Sequence, residues 1–267
     1  MTNLSELMSM TGRRALVTGA AGGLGRVMSE TLAEMGADLI LVDLPDTNLP
    51  ALAKAMAERY GVSVQSEHCN LEVSDQRDAL AKRVLENRGT LDLLVNNAAF
   101  VGTSGLQGWS EPFENQTVET WRRALEVNLT SAFHLCQLFT PALRASHCGS
   151  IVNIASIYGE YGPDWSLYEG TSMANPAAYG ASKAGVIQFT RWLATTLGPN
   201  VRVNAISPGG VVRGQPESFV KRYESRTPLG RMAIEDDFRG AIAYLASDMA
   251  AYVTGQVLRV DGGWGVW

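Results

Sequence analysis

The chain has 267 residues, 46% of them hydrophobic and 18% charged. That balance excludes a disordered or low-complexity chain and suits one large α/β domain. The formal net charge of −5 comes without a lysine- or arginine-rich block, which argues against nucleic-acid binding.

Taken in chain order, short apolar, β-rich runs alternate with helix-periodic segments. Residues 13–18 read as a strand, 25–36 as a helix, 38–43 as a strand and 51–61 as a helix. A strand over 62–69, a helix over 75–89 and a strand over 91–97 follow. One long helical segment covers about 117–145. A strand at 149–156, a helix at 177–198, a strand at 201–207, a helix at 235–247 and a last strand at 256–263 complete the series. Continuous apolar strands separated by helices imply a parallel sheet covered on both faces. The expectation is a single α/β domain over 1–267, doubly wound, with helices on both faces. Two irregular stretches, 158–176 and 208–233, follow strand ends on the carboxyl side of the sheet, where such folds bind ligands.

Three cysteines (Cys69, Cys136, Cys148) form no C-x-x-C pair and read as reduced thiols. The histidines lack metal-ligand spacing, so no metal is expected. The N-terminal stretch has no basic leader before an apolar run, and no apolar run reaches the ~20 residues of a bilayer span. A soluble cytoplasmic protein without membrane partners is expected.

The first strand leads through "TGAAGGLG" into the first helix. Thr18, Gly19, Gly23 and Gly25 give the spacing T-G-x-x-x-G-x-G. Glycines there let the backbone approach a pyrophosphate, and the helix N-terminus offers free N–H groups. Asp43 ends the second strand about twenty residues on, where an acid accepts from a ribose 2′-OH and repels a 2′-phosphate. No basic residue in the glycine turn or just after Asp43 reverses that preference, so the expected cofactor is NAD.

Residues 157–185 contain Tyr158, Tyr161, Tyr168 and Tyr179, and only Tyr179 is followed four positions later by a lysine, Lys183. On a helix the two share a face. A nearby ammonium favours the phenolate and makes Tyr179 a plausible general acid/base near neutral pH.

Together with "NNAA" (96–99), Asn128 in "EVNLTSAF", Ser156 in "IVNIAS" and "SPGG" (207–210), these motifs resemble the short-chain dehydrogenase/reductase family over nearly the whole chain. The resemblance implies a Rossmann-type sheet of about seven strands in the order 3-2-1-4-5-6-7. It implies that Tyr179 is the catalytic acid/base and that Lys183 lowers its pKa and binds the nicotinamide ribose. Ser156 then bonds the reacting oxygen, and Asn128 holds a water in the proton relay. Gly19, Leu24, Asp43, Asn97 and Ala98 fall at cofactor-contact positions, and Pro208, Gly209 and Val211 fall beside the nicotinamide. Asn70 and Leu71 stand at the adenine positions, with Glu72 and Val73 as the rival alignment. The segment 235–263 resembles the family's subunit-pairing region and implies a homotetramer or homodimer.

Two departures from the family pattern bear on the substrate. Arg213 stands where a threonine is usual, and its fork suits a carboxylate or the cofactor's phosphates. The Ser156–Tyr179 separation is long, and its excess holds Tyr161, Asp164, Trp165, Tyr168 and Glu169. Trp165 and Tyr168 read as a wall for a polar, ring-shaped ligand, with a subunit contact as the other reading. That insert and the terminal "VDGGWGVW" resemble bacterial oxidoreductases of surface-sugar and flagellin-glycan modification. The expected activity is oxidation of a secondary alcohol, or the reverse, on a sugar-like or acidic metabolite. The alternatives are a ketoacyl- or steroid-type reductase and a dinucleotide-binding regulatory protein.

Overall fold

The computed structural model describes residues 2–87, 89–101 and 104–267. In chain order the elements are α1 (Leu4–Met8), β1 (Arg14–Thr18), α2 (Gly23–Glu34), β2 (Asp38–Asp43), α3 (Leu49–Tyr60), β3 (Val64–His68), α4 (Ser74–Asn87) and β4 (Leu93–Asn96). They continue with α5 (Val118–Leu125), α6 (Ser131–Ala145), β5 (Ser150–Ile154), α7 (Ala177–Leu197), β6 (Arg202–Pro208), α8 (Glu217–Arg226), α9 (Arg239–Ala246) and β7 (Val257–Val260).

The strands form one sheet in the order β3-β2-β1-β4-β5-β6-β7. Every pairing is parallel, with Arg14 opposite Asp38 and Ala15 opposite Leu93. Strand side chains alternate between faces, and the two cores obey that period of two. Ala15, Val17, Leu39 and Leu41 pack with Leu32 of α2, Met56 of α3 and Ile242 of α9. Leu16, Ile40 and Val42 point the other way, onto Val84 of α4, Phe139 of α6 and Leu197 of α7. Each fully buried leucine or phenylalanine contributes about 1.5–3 kcal/mol. The inner strands β1, β2, β4, β5 and β6 are therefore covered on both faces, whereas the edge strands β3 and β7 are only partly buried.

After β3 the chain crosses to β4 on the far side of β1, which makes the carboxyl ends of β1 and β4 the topological switch point. The cleft opens there.

Three parts of the architecture differ from the sequence reading. The helix expected over 117–145 is broken by a π-helical turn at Glu126–Thr130. The stretch 208–233 is not irregular throughout, because Glu217–Arg226 forms α8, with Phe219 and Tyr223 buried one turn apart on one face. The short α1 was not anticipated; it is capped by Asn3 and Glu6 in a capping box and buries nothing.

Candidate active site

The Thr18 and Asn97 side chains latch the switch point to the backbone behind the glycine turn. Thr18 Oγ1 accepts from the backbone N–H of Asn97 at 3.0 Å and of Ala98 at 3.1 Å. Asn97 Nδ2 donates to the carbonyls of Thr18 and Gly19 at 2.9 and 3.1 Å. Gly19 has φ +63, a conformation glycine adopts without strain. A Cβ on Gly25 would stand 2.0 Å from the Gly19 carbonyl oxygen. The turn thus packs backbone on backbone, and α2 starts at Gly23 behind Gly22, an N-cap with no side chain to bond. Its first N–H groups remain available to an anion. This cradle fits a pyrophosphate.

Asp43 sits at the end of β2 and ties the cradle to the sheet. Its Oδ2 accepts from Ala21 N and its Oδ1 from Leu44 N, both at 2.8 Å. The carboxylate lines the cleft, where its remaining lone pairs can accept from ribose hydroxyls. Asn70 and Leu71 also line the cleft, as does Glu72, whereas Val73 does not. The Asn70 amide oxygen accepts from Glu72 N at 3.0 Å and so closes a local turn over 70–72. Glu72 is held by Arg123 through bonds of 2.7 and 3.1 Å.

Tyr179 lies in the first turn of α7, and Lys183 follows one turn later. Both face a cleft of about 1130 Å³ that also contains Ser156, Leu24, Gly23 and Asp43. The Lys183 side chain is 3% exposed, and its Nζ donates to the Ile154 carbonyl at 2.7 Å. It stands 5.8 Å from the Tyr179 ring centroid. Burial pushes the Lys183 pKa down to about 8. Burial also pushes the Tyr179 phenol up, while its hydrogen bond with Ser156 and the charge of Arg213 pull it down. The sequence reading assigned the downward pull to Lys183. In this geometry Ser156 and Arg213 add to that pull, and the lysine's Nζ is anchored on the Ile154 carbonyl one turn along the same helix.

Asn128 occupies the π-helical turn, a local widening that recurs at functional sites. It does not line the cleft. Its Oδ1 accepts from Phe100 N at 2.7 Å, and its Nδ2 donates to Phe100 O at 3.2 Å and to Ser182 Oγ at 3.1 Å. Asn128 thus fixes the segment after β4 against α7. Thr18 also stays behind the cleft wall, where it positions rather than contacts.

Pro208, Gly209 and Val211 line the cleft after β6, and Arg213 follows. A Cβ on Gly23 would meet Arg213 Nη2 at 3.0 Å and Glu235 Oε1 at 2.7 Å. Arg213 therefore lies over the glycine turn, paired with Glu235 at 3.3 Å.

The substrate end is enclosed by the insert and α8. Tyr168 lines it, as do Tyr158, Asn175, Phe219, Tyr223 and Met232, none of which the sequence reading assigned to the site. Trp165 does not line it; that side chain is 58% exposed and packs at a tilt on Tyr168, with ring centroids 5.5 Å apart. A chain of ring contacts runs from Trp165 through Tyr168, Phe219, Tyr223 and Trp264 to Tyr161. The C-terminal residues close it, since Tyr161 OH donates to Gly265 O at 2.8 Å and Trp267 Nε1 to Arg226 O at 3.2 Å. Asp164 pairs with Arg226, which joins the insert to α8 a second time.

The profile described as enoyl-(acyl carrier protein) reductase matches residues 19–265. The chain belongs to the short-chain dehydrogenase/reductase family. A 3-oxoacyl-(acyl-carrier-protein) reductase of Thermotoga maritima is 35% identical, the match covering 96% of this chain and 99% of that one. A trans-4-hydroxycyclohexanecarboxylate dehydrogenase of Sinomonas cyclohexanicum is also 35% identical, over 93% of this chain and 91% of the relative. The crystal structure of an NADPH-dependent 3-quinuclidinone reductase from Rhodotorula rubra superposes with a TM-score of 0.88 at 27% identity, covering 100% of this chain and 96% of that one. As a short-chain dehydrogenase/reductase the protein is an oxidoreductase of CH–OH and keto groups that uses a nicotinamide dinucleotide and a small-molecule substrate. Among the described residues no helix is long and apolar enough to cross a membrane.

Proposed function

We propose that this protein is an NAD(H)-dependent oxidoreductase that interconverts a secondary alcohol and a ketone of a polar metabolite, with Tyr179 as the general acid/base. One observation carries the reading: Ser156, Tyr179 and Lys183 open into the same cleft as the glycine turn and the Asp43 carboxylate.

A bound dinucleotide supplies the redox couple and, when oxidised, a positive charge near the phenol. The chain's own groups do the rest. In the oxidation direction Ser156 Oγ orients the alcohol oxygen, and the Tyr179 phenolate accepts its proton. Lys183, anchored on the Ile154 carbonyl, presents its ammonium to the ribose. Asn128 belongs to the proton path by holding residues 98–100 against α7. Gly19, Gly23, Leu24 and Gly25 hold the pyrophosphate, with Thr18 bracing Asn97 and Ala98 behind them. Pro208, Gly209 and Val211 flank the nicotinamide, and Asn70 and Leu71 flank the adenine. Arg213, lying over Gly23, serves the cofactor's phosphates rather than a substrate carboxylate. Asp43 favours NAD, because a 2′-phosphate would add negative charge against an acid that no cation neutralises among the residues just after it.

A second reading, a 3-oxoacyl thioester reductase, is favoured by the Thermotoga maritima relative. The polar lining contributed by Tyr158, Tyr168 and Asn175 supports the first reading over it. The three free thiols suit a reducing cytoplasm. The β7 sheet edge, with Met249 and fully exposed Tyr252 nearby, supports pairing into a homotetramer or homodimer, which sedimentation would resolve.

The test is a titration of NADH against NADPH by fluorescence, together with turnover of secondary alcohols. Tyr179→Phe should keep NADH affinity within about twofold and lose roughly 10²–10⁴ in kcat. Near-normal turnover in that variant would refute the assignment.

A further inference from the structure

Three side chains in the substrate end of the cleft share a hydrogen-bonding system that the family's catalytic set does not include. The Tyr158 and Tyr168 hydroxyls are 2.8 Å apart. Asn175 Nδ2 donates to the Tyr168 hydroxyl at 3.2 Å. All three residues line the cleft. The group is rigidly placed. Tyr158 follows Ser156 by two residues, and its backbone N–H donates to Ser156 Oγ at 3.2 Å. The Tyr168 ring packs edge-on against Phe219 of α8 at 5.3 Å. Ser156 and Tyr179 line the same cleft as the trio, which sets it beside the reacting centre.

A count of donors decides what the trio can do. Each phenol carries one O–H, and the amide carries two N–H groups. The two bonds within the trio use only one phenolic proton and one amide proton. No other protein group in the described structure takes the second phenolic proton. If Tyr158 donates to Tyr168, the Tyr168 proton is left over; if the bond runs the other way, the Tyr158 proton is. Turning the amide over leaves its N–H groups spare instead, so a surplus donor survives either assignment. The Asn175 amide oxygen adds an acceptor. Buried polar groups carry a cost unless they are bonded, so this set is made for a partner that both accepts and donates. A hydroxyl does both.

We propose that the Tyr158–Tyr168–Asn175 trio binds a second oxygen of the substrate, on the carbon next to the one that reacts, and so selects neutral vicinal diols and α-hydroxyketones. This rests on the oxidoreductase reading and narrows its substrate class. Charge argues for a neutral substrate over an acidic one. The cations that line the cleft are all engaged: Lys183 donates to the Ile154 carbonyl, Arg123 is paired with Glu72, and Arg213 is paired with Glu235 over Gly23 at the phosphate end. The Phe219, Tyr223 and Met232 walls supply apolar surface for the C–H face of a polyol or sugar ring. Rejection of a substrate that lacks the second oxygen follows from leaving the spare donor unbonded.

The experiment compares trans-cyclohexane-1,2-diol with cyclohexanol as substrates of the NAD holoenzyme. The parent should favour the diol in kcat/KM by about tenfold to a hundredfold, the range set by one buried hydrogen bond. Tyr158→Phe with Tyr168→Phe keeps both rings and should bring the ratio close to one, chiefly through KM. The same ratio is read without turnover from the binding of 2-hydroxycyclohexanone and cyclohexanone to the NADH complex, followed by nicotinamide fluorescence. A parent that treats the members of each pair alike overturns the proposal, as does a ratio that survives both phenylalanines. Failure to bind NADH while NADPH binds would overturn only the NAD preference, and failure to bind either would sink the assigned reaction, so these outcomes are distinguishable from loss of the diol preference.

Discussion

Lys183→Met should make the apo protein more stable at neutral pH while removing its activity. The lysine is buried, and burial alone lowers its pKa from 10.5 to about 8. At ~1.4 kcal/mol per tenfold change in proton affinity, holding that ammonium in the fold costs about 3 kcal/mol. Methionine removes the charge and keeps the length. It also leaves the Ile154 carbonyl without its donor, a loss of about 1–2 kcal/mol. The net gain is about 1–2 kcal/mol at pH 7. The sign reverses with pH. Below pH 8 native and unfolded chains both carry the ammonium, and the native chain bears the full desolvation penalty. Between pH 8 and 10.5 the unfolded chain holds the proton that the native chain has released, so the parent's stability rises with pH relative to the variant's. Urea unfolding of both apo proteins at pH 7 and pH 10, at matched concentration, measures the difference. A variant less stable than the parent at pH 7, or a gap that does not shift toward the parent by pH 10, would refute the reasoning.

Gly25→Ala forces a Cβ to 2.0 Å from the Gly19 oxygen and 2.7 Å from Asn97 Nδ2, so it should cost about 1–3 kcal/mol in thermal unfolding and weaken NADH binding at least tenfold. Arg213→Ala should weaken NADH about threefold to tenfold, and Glu235→Gln should strengthen it, since one removes a cation and the other an anion from above the phosphate cradle. Calorimetry at low and high salt checks both, with the two effects shrinking together as salt rises; shifts of the same sign would remove Arg213 from the phosphate site. Asp43→Ser should narrow the preference between NADH and NADPH, read as the ratio of the two Kd values.

The framework was legible in the sequence because its signals are local. Apolar runs such as 38–43 fit only buried strands, and the T-G-x-x-x-G-x-G spacing fits only a tight turn into a helix. The strand order followed from the family likeness, and the sheet adopts it. α8 was hidden because only Phe219 and Tyr223 mark its buried face and its other positions are mostly polar or charged. A pair of apolar residues four apart after Pro216 was the available signal. The Tyr158–Tyr168 bond depends on how one irregular loop folds back on itself, and the place of Arg213 over Gly23 depends on how loops far apart in sequence meet. Spacing carries no information about either. Trp165 and Tyr168 looked equivalent in the sequence, yet the turn at 165–168 sends one outward and the other into the cleft. The Lys183 charge was placed on the correct helix face, but its desolvation is a property of the packed core.

The ring ladder from Trp165 to Tyr161 also makes the far end of the polypeptide a buttress of its catalytic mouth. Residues 264–267 grip Tyr161, Tyr223 and Arg226, so shortening the chain to Gly263 would loosen the roof over the reactants while sparing the dinucleotide cradle on the opposite flank.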